Sequence, residues 1–134
     1  MPNHVHLLVQ PLDDALSSRM QRLLISFTRA IHAKYGRLGA LFQRQFPAVA
    51  VENDDQLIHL SATIHRNPVE AGLAARAEAW QYSSCREYLG VRQGRLPQPG
   101  VVLHLCGGRR GYRGLLNGGL GEAATGLEHV ILED

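Results

Sequence analysis

Lysine is almost missing from this chain of 134 residues: Lys34 stands alone among fourteen basic residues, and the rest are arginine. Arginine's planar fork suits phosphate recognition, although codon bias in a GC-rich genome would produce the same skew. The formal net charge is only +2. Residues 114–134 carry four acidic and no basic residues, so any nucleic-acid interface is expected within the first hundred residues.

Cysteine is also scarce. Cys85 and Cys106 are the only two, they form no CxxC pair, and two free buried thiols are expected rather than a disulfide. No apolar run approaches the roughly 20 residues that span a bilayer, and the first residues lack the features of a signal peptide. We therefore expect a globular, cytoplasmic protein without a membrane segment, in keeping with 45% hydrophobic and 19% charged residues.

The start of the chain alternates in a way typical of a β-strand over residues 3–10. Val5, Leu7 and Val9 share the face expected in the core, and Pro11 ends the strand because it cannot donate to a ladder.

A first helix is predicted from a cap at Ser17 or Ser18 to Tyr35, with Gly36 as its stop. Apolar residues at three-and-four spacing predict a stripe that faces the core. The stripe consists of Met20, Leu23, Leu24, Phe27 and Ile31.

A second helix is predicted after a cap at Asp54 or Asp55, and Pro68 is expected to end it. Its expected buried residues are Leu57, Leu60 and Ile64. His59 and His65 on the same helix are expected at the surface.

The remaining segments give weaker signals. Residues 41–51 have strand character, 69–80 predict a short helix or turn, and 81–90 predict a short helix capped by Ser83 or Ser84. From residue 93 onward glycine and proline predict loops and poorly specified structure, with a final strand or a loose end at 128–134. Strand, helix, strand, helix indicates an α/β sandwich with helices on one face of a sheet.

Two histidines, His4 and His6, are one residue apart on the predicted strand and point the same way. They suit two ligands of one divalent ion, but the spacing alone favours two neutral imidazoles at a strand edge. Thr63 and Asn67 lie four apart on one face of the second helix, with His59 a turn earlier. A hydroxyl nucleophile followed one turn later by a metal ligand would suit phosphodiester chemistry. On spacing alone, an ordinary partly buried threonine and an asparagine that ends a helix before Pro68 account better for the two positions.

Four blocks of the sequence, in order, resemble one family. They are "MPNHVHLLV", "SSRMQRLLISFTRAIHAKYGRLGALFQRQF", "VENDDQLIHLSATIHRNPVEAGL" and "WQYSSCREYLG". This wording is similar to that of the REP-associated tyrosine transposases, a branch of the single-tyrosine HUH transposases. The resemblance covers about residues 1–90 and fades beyond them.

The resemblance implies an α+β, ferredoxin-like fold with an antiparallel sheet. It also implies cleavage and transfer of single-stranded hairpin DNA by a tyrosine nucleophile with Mg²⁺ or Mn²⁺. By position, His4, His6 and Asn67 would hold the metal. Thr63 occupies the position of the family tyrosine. Because an aliphatic hydroxyl is far less acidic than a phenol, we expect cleavage to be weak or lost. Tyr82 and Tyr88 are the candidate substitutes.

The family also places "MPNHVHLLV" after a strand and a helix that this sequence lacks, so we expect an N-terminally truncated domain at 1–90 and a separate tail at 91–134. The expected partners are single-stranded or hairpin DNA and a second copy of the chain. Phosphate contacts are expected from Arg19, Arg22, Arg29, Arg44 and Arg66. A non-catalytic DNA-binding remnant and a decayed gene fragment are the alternatives.

Overall fold

The computed structural model describes residues 1–43 and 46–118, and all regular secondary structure in these residues is helical. A 3₁₀ turn at Ala77–Ala79 follows the second α-helix. The α-helices are α1 (Leu16–Tyr35), α2 (Asp54–Glu70), α3 (Cys85–Tyr88), α4 (Gly100–Leu105) and α5 (Arg109–Gly118). The chain forms two compact units: a smaller one, Val9–Ala48, and a larger one that combines Met1–Leu8 with Val49–Asp134.

The expected α+β sandwich is wrong for this part of the chain. Residues 3–10 and the described residues of 41–51 form no strand. Val5 is 62% and Leu7 50% exposed, so the expected core face of the first strand is not buried. A strand satisfies its backbone N–H and C=O groups only through a neighbouring strand, and no pairing partner exists among residues 1–43 and 46–118. The expected final strand at 128–134 lies outside the described residues.

Helix α1 in the smaller unit ends as predicted, with Gly36 in the left-handed conformation at φ 61°. It begins at Leu16 rather than after Ser17 or Ser18. The expected core stripe is wrong, because α1 has no buried residue and Phe27 is 51% exposed. Phe27 does pack against Phe42, with ring centroids 6.2 Å apart.

The N-cap of helix α2 in the larger unit lies one residue before the predicted position. Asn53, not Asp54 or Asp55, is the N-cap, and its side chain accepts from the backbone N–H of Gln56 at 2.9 Å. Pro68 does not end the helix, which continues to Glu70. The backbone carbonyl of Pro68 accepts from the N–H groups of Leu73 and Ala74, the two residues that close the turn after the helix.

The core of the larger unit lies where α2 contacts the 3₁₀ turn, α4 and α5. Its buried members are Ala62, Ala77, Cys85, Tyr88, Leu89, Val102, Tyr112 and Leu116. Of the expected buried side of α2, Leu60 is buried while Leu57 and Ile64 are half-buried. Cys85 is buried, Cys106 is half-buried, and both thiols are free as predicted.

The stretch from residue 93 to 118 is better ordered than its glycine content indicates. It contains α4 and α5, and it supplies three core side chains, Val102, Tyr112 and Leu116. The expected loop is confirmed for residues 93–99, whereas the expectation of poorly specified structure is wrong for residues 106–118. No helix in the described part of the chain is long and apolar enough to cross a membrane.

Candidate functional site

The two N-terminal histidines lie together in the larger unit. Their rings meet edge to face with centroids 4.9 Å apart. Nδ1 of His4 is 2.8 Å from the side-chain oxygen of Asn3. An amide oxygen only accepts, so this contact places the proton on Nδ1 and leaves the lone pair of Nε2 available to a metal.

The third metal ligand was expected at Asn67. Asn67 is half-buried near the end of α2, in the same compact unit as His4 and His6. Within residues 1–43 and 46–118, no three His, Cys, Asp or Glu side chains are grouped to hold a metal ion. An amide ligand falls outside those residue types, so the set of His4, His6 and Asn67 stays a prediction.

Thr63, which the family resemblance predicts at the position of the tyrosine nucleophile, is only 8% exposed. Its Oγ1 donates a hydrogen bond to the backbone carbonyl of His59 at 2.9 Å. Threonine hydroxyls within helices commonly donate in this way to the carbonyl four residues earlier. The hydroxyl is thus shielded from solvent and its proton is already engaged.

Two buried polar atoms flank Thr63 on the same face of α2. Nδ1 of His59 and Nη1 of Arg66 have no hydrogen-bond partner in the described structure. A buried polar atom without a partner is costly and commonly marks a place for water or a ligand. The other guanidinium nitrogen of Arg66, Nη2, pairs with Glu70 at 3.1 Å.

The remaining arginines expected to contact DNA lie on α1 or outside the described residues. Arg22 and Arg29 are exposed on α1. Arg19 is also exposed, and its Nη2 pairs with Asp13 at 2.6 Å, which reduces its free charge. Arg44 falls in the gap at 44–45, outside the described residues.

The two substitute tyrosines differ sharply in their surroundings. Tyr82 is 77% exposed and meets the ring of Trp80 edge to face, with ring centroids 5.6 Å apart. Tyr88 is buried, and burial raises the pKa of its phenol. A raised pKa disfavours the phenolate, so Tyr88 is poorly suited to nucleophilic attack.

A buried polar cluster that sequence reasoning missed surrounds His65. His65 is 3% exposed, not at the surface as expected. Its Nδ1 lies 2.7 Å from Oη of Tyr112 and its Nε2 lies 2.8 Å from Oγ of Ser84. Tyr112 in turn donates to Oγ of Ser61 at 3.3 Å. The spacing of Tyr112, Leu115 and Leu116 is the one sequence signal of a buried helix face that would have pointed here.

The cluster acts as a structural centre. Burial lowers the pKa of His65 to about 4, against a smaller opposing effect of Glu87. The ring is therefore neutral near pH 7, with both nitrogens hydrogen-bonded. Burial also raises the pKa of Tyr112 far above its ordinary value. Neither group is accessible to a substrate, so the cluster holds α2, α3 and α5 together rather than performing chemistry.

The comparison with known proteins agrees with the resemblance seen in the sequence. A protein of Haemophilus influenzae (strain ATCC 51907 / DSM 11121 / KW20 / Rd), described as "Putative REP-associated tyrosine transposase", is 31% identical over 96 residues. The match covers 63% of this chain and 54% of that protein, so the chain spans about half the length of its relative. No family model matches the chain, and no solved structure matches it.

The chain is thus distantly similar to a protein of the transposase class. The particular similarity is to the REP-associated tyrosine transposases. The truncation at the N-terminus and the loss of the tyrosine nucleophile stay predictions.

Proposed function

We propose that this chain binds single-stranded or hairpin DNA as a relative of the REP-associated tyrosine transposases, and that its strand-cleaving activity is impaired. The observation that carries the proposal is the set of four ordered sequence blocks, supported by the 31% identity to the Haemophilus protein. We also propose that it acts in the cytoplasm and that two copies of the chain can form a homodimer.

The impairment is supported by the surroundings of Thr63. An aliphatic hydroxyl needs a neighbouring base or a metal to attack a phosphodiester. Thr63 instead donates its proton to a helix carbonyl and is 8% exposed. A DNA phosphate would have to displace part of the surrounding structure before it reached Oγ1.

A divalent metal, Mg²⁺ or Mn²⁺, is proposed at His4 and His6 with Asn67. The fit is supported by the Asn3 side chain, whose oxygen accepts from Nδ1–H of His4 and so leaves the lone pair on Nε2. When bound, the metal would polarise a phosphate oxygen. Imidazole is not the ligand that Mg²⁺ favours, whereas Mn²⁺ accepts it more readily, so Mn²⁺ is the better probe.

Phosphate binding is proposed for Arg22 and Arg29 on α1, with Arg19, Arg44 and Arg66 as further contacts. Arg66 retains a guanidinium nitrogen without a partner in the described structure, next to Thr63. Such contacts would make affinity fall steeply with salt, because each one releases counterions from the DNA.

The test follows DNA binding and covalent attachment in one sample. The full chain is mixed with a fluorescent single strand that carries a hairpin, in Mn²⁺. Anisotropy reports binding, and denaturing electrophoresis reports a covalent adduct. We expect salt-sensitive binding without an adduct.

Two matched variants would identify the nucleophile if a covalent adduct formed. Thr63→Val and Tyr82→Phe each remove a hydroxyl with little change of shape. An adduct formed by the unmodified chain would contradict the impairment, and the variant that abolishes it would identify the nucleophile. Absence of any binding would contradict the DNA-binding function itself.

A further inference from the structure

A stretch of the larger unit carries positive charge and has no acidic residue of its own. Between residues 88 and 118 the sequence has no aspartate or glutamate. Its arginines are Arg92, Arg95, Arg109, Arg110 and Arg113. Arg92 serves the fold, since it donates to the Glu87 carboxylate at 2.6 and 2.9 Å and to two backbone carbonyls. Three of the remaining arginines lie on α5.

Helix α5 has one face for the core and another for solvent. Tyr112 is fully buried and Leu116 is 9% exposed. Arg110, Arg113 and Asn117 follow three-and-four spacing on the opposite, exposed side. Gly114 lies on that side too, with no atom within 4 Å of an added Cβ. We call Arg109, Arg110, Arg113 and Asn117 the α5 basic face.

The turn before α5 fixes the direction of that face. Gly107 and Gly108 both have positive φ, 71° and 91°, which favours glycine at each. A Cβ on Gly111 would collide with the carbonyl oxygen of Cys106, so the first turn of α5 lies directly against the end of α4. Two short helices joined by a tight glycine turn, with one side of the second helix exposed, have the connectivity found in helix-turn-helix modules.

The charges on α5 work against the stability of the helix. Its first turn has no acidic residue and begins with two arginines, Arg109 and Arg110, at the positively polarised end. Arg113 is 47% exposed and 3.6 Å from Glu78, a partner it shares with Arg76. Arg110 forms no ion pair or side-chain hydrogen bond within the described residues. An anion outside the unit would relieve this repulsion.

The Arg109 side chain lies beside a glycine of the preceding segment. Its guanidinium lies against Gly90, where an added Cβ would be 2.6 Å from Nε. Gly90 also has a positive φ of 73°. A glycine at position 90 therefore leaves the space that the Arg109 side chain occupies at the start of α5.

We propose that α5 is a recognition helix that enters the major groove of double-stranded DNA. Arginine and asparagine are the side chains that read guanine and adenine there, and Gly114 lets the helix approach closely. DNA as the partner rests on the proposed function, but the surface is a different one. Single-stranded DNA fits this face less well, because it is usually held by exposed aromatic rings and the only aromatic residue of α5 is buried.

The test compares two probes on the full chain. One is a blunt duplex of about 20 base pairs, which is two helical turns, and the other is oligothymidine of about 20 nucleotides. The variants are Arg110→Ala with Arg113→Ala on α5, and Arg22→Ala with Arg29→Ala on α1. All four side chains are exposed, and circular dichroism verifies that each variant is folded.

We expect the α5 variant to bind the duplex about five- to tenfold more weakly per arginine, with a salt slope lower by about one for each. Its binding to oligothymidine stays at the level of the unmodified chain. The α1 variant gives the reverse pattern.

Equal loss on both probes would overturn the proposal, because it would mean non-specific attraction by charge. Unchanged duplex binding in the α5 variant would overturn it as well. Duplex binding that depends on α5, while the unmodified chain binds neither oligothymidine nor the hairpin-bearing strand, would leave the inference standing and reject the proposed function.

Discussion

His65 illustrates how one side chain links burial to pH. It is neutral in the fold because burial lowers its pKa to about 4, whereas in the unfolded chain the ordinary value is about 6.5. The unfolded state therefore binds more protons between these values. Stability is fully present above pH 6.5 and falls as the pH drops toward 4.

We expect the free energy of unfolding to decrease by about 2 kcal/mol between about pH 7 and pH 5 from this residue alone. Urea unfolding at the two pH values measures the change. His65→Gln should lower stability at pH 7 and flatten the pH dependence, whereas His104→Gln, at an exposed position, should leave both unchanged. An equally steep dependence in His65→Gln would contradict the assignment.

At the scale of elements, the sequence predicted α1 and α2 well because their signals are local. Gly36 ends α1 in the left-handed conformation, and α2 starts within a residue of its expected cap. The absence of a strand at 3–10 could not be predicted from local signals. Alternating apolar residues fit a strand, but a strand forms only when a neighbouring strand pairs with it. Helix α5 was missed because its glycines hide the pattern of Tyr112 and Leu116.

The glycines of α5 differ in what they permit. An alanine at Gly111 would collide with the Cys106 carbonyl, whereas an alanine at Gly114 would meet nothing within 4 Å. We expect Gly111→Ala to destabilise the protein by about 2 kcal/mol and Gly114→Ala to stabilise it by about 0.5–1 kcal/mol. Thermal unfolding followed by circular dichroism compares them. Similar midpoints for the two variants would contradict the close approach of α4 and α5.

Across the whole molecule, the two units differ in how much side-chain surface they bury. Helix α1 has no buried residue, whereas α2 has six. Local opening is easier where few apolar contacts are lost. We therefore expect the amides of α1 to exchange with deuterium much faster than the central amides of α2, as measured by mass spectrometry of peptides. Equal protection of both helices would show that α1 is covered in solution.

The candidate site shows the same division between local pattern and wider context. The family resemblance predicted roles for His4, His6 and Thr63. The structure adds the contact of His4 with Asn3 and the burial of Thr63. The spacing of residues around His65 does not predict that it is buried, because its partners Ser84 and Tyr112 lie 19 and 47 residues further along the sequence.

The hydrogen bonds around His65 run in one direction. Oγ of Ser61 donates to the carbonyl of Ile58 at 2.8 Å, so it is free to accept from Tyr112. Tyr112 must then accept from Nδ1–H of His65, and Nε2 accepts from Ser84. His65 is thereby locked in the Nδ1–H tautomer. Its ring proton, sheltered from water, should give a slowly exchanging signal in proton NMR spectra, an intrinsic reporter of whether α2, α3 and α5 are assembled.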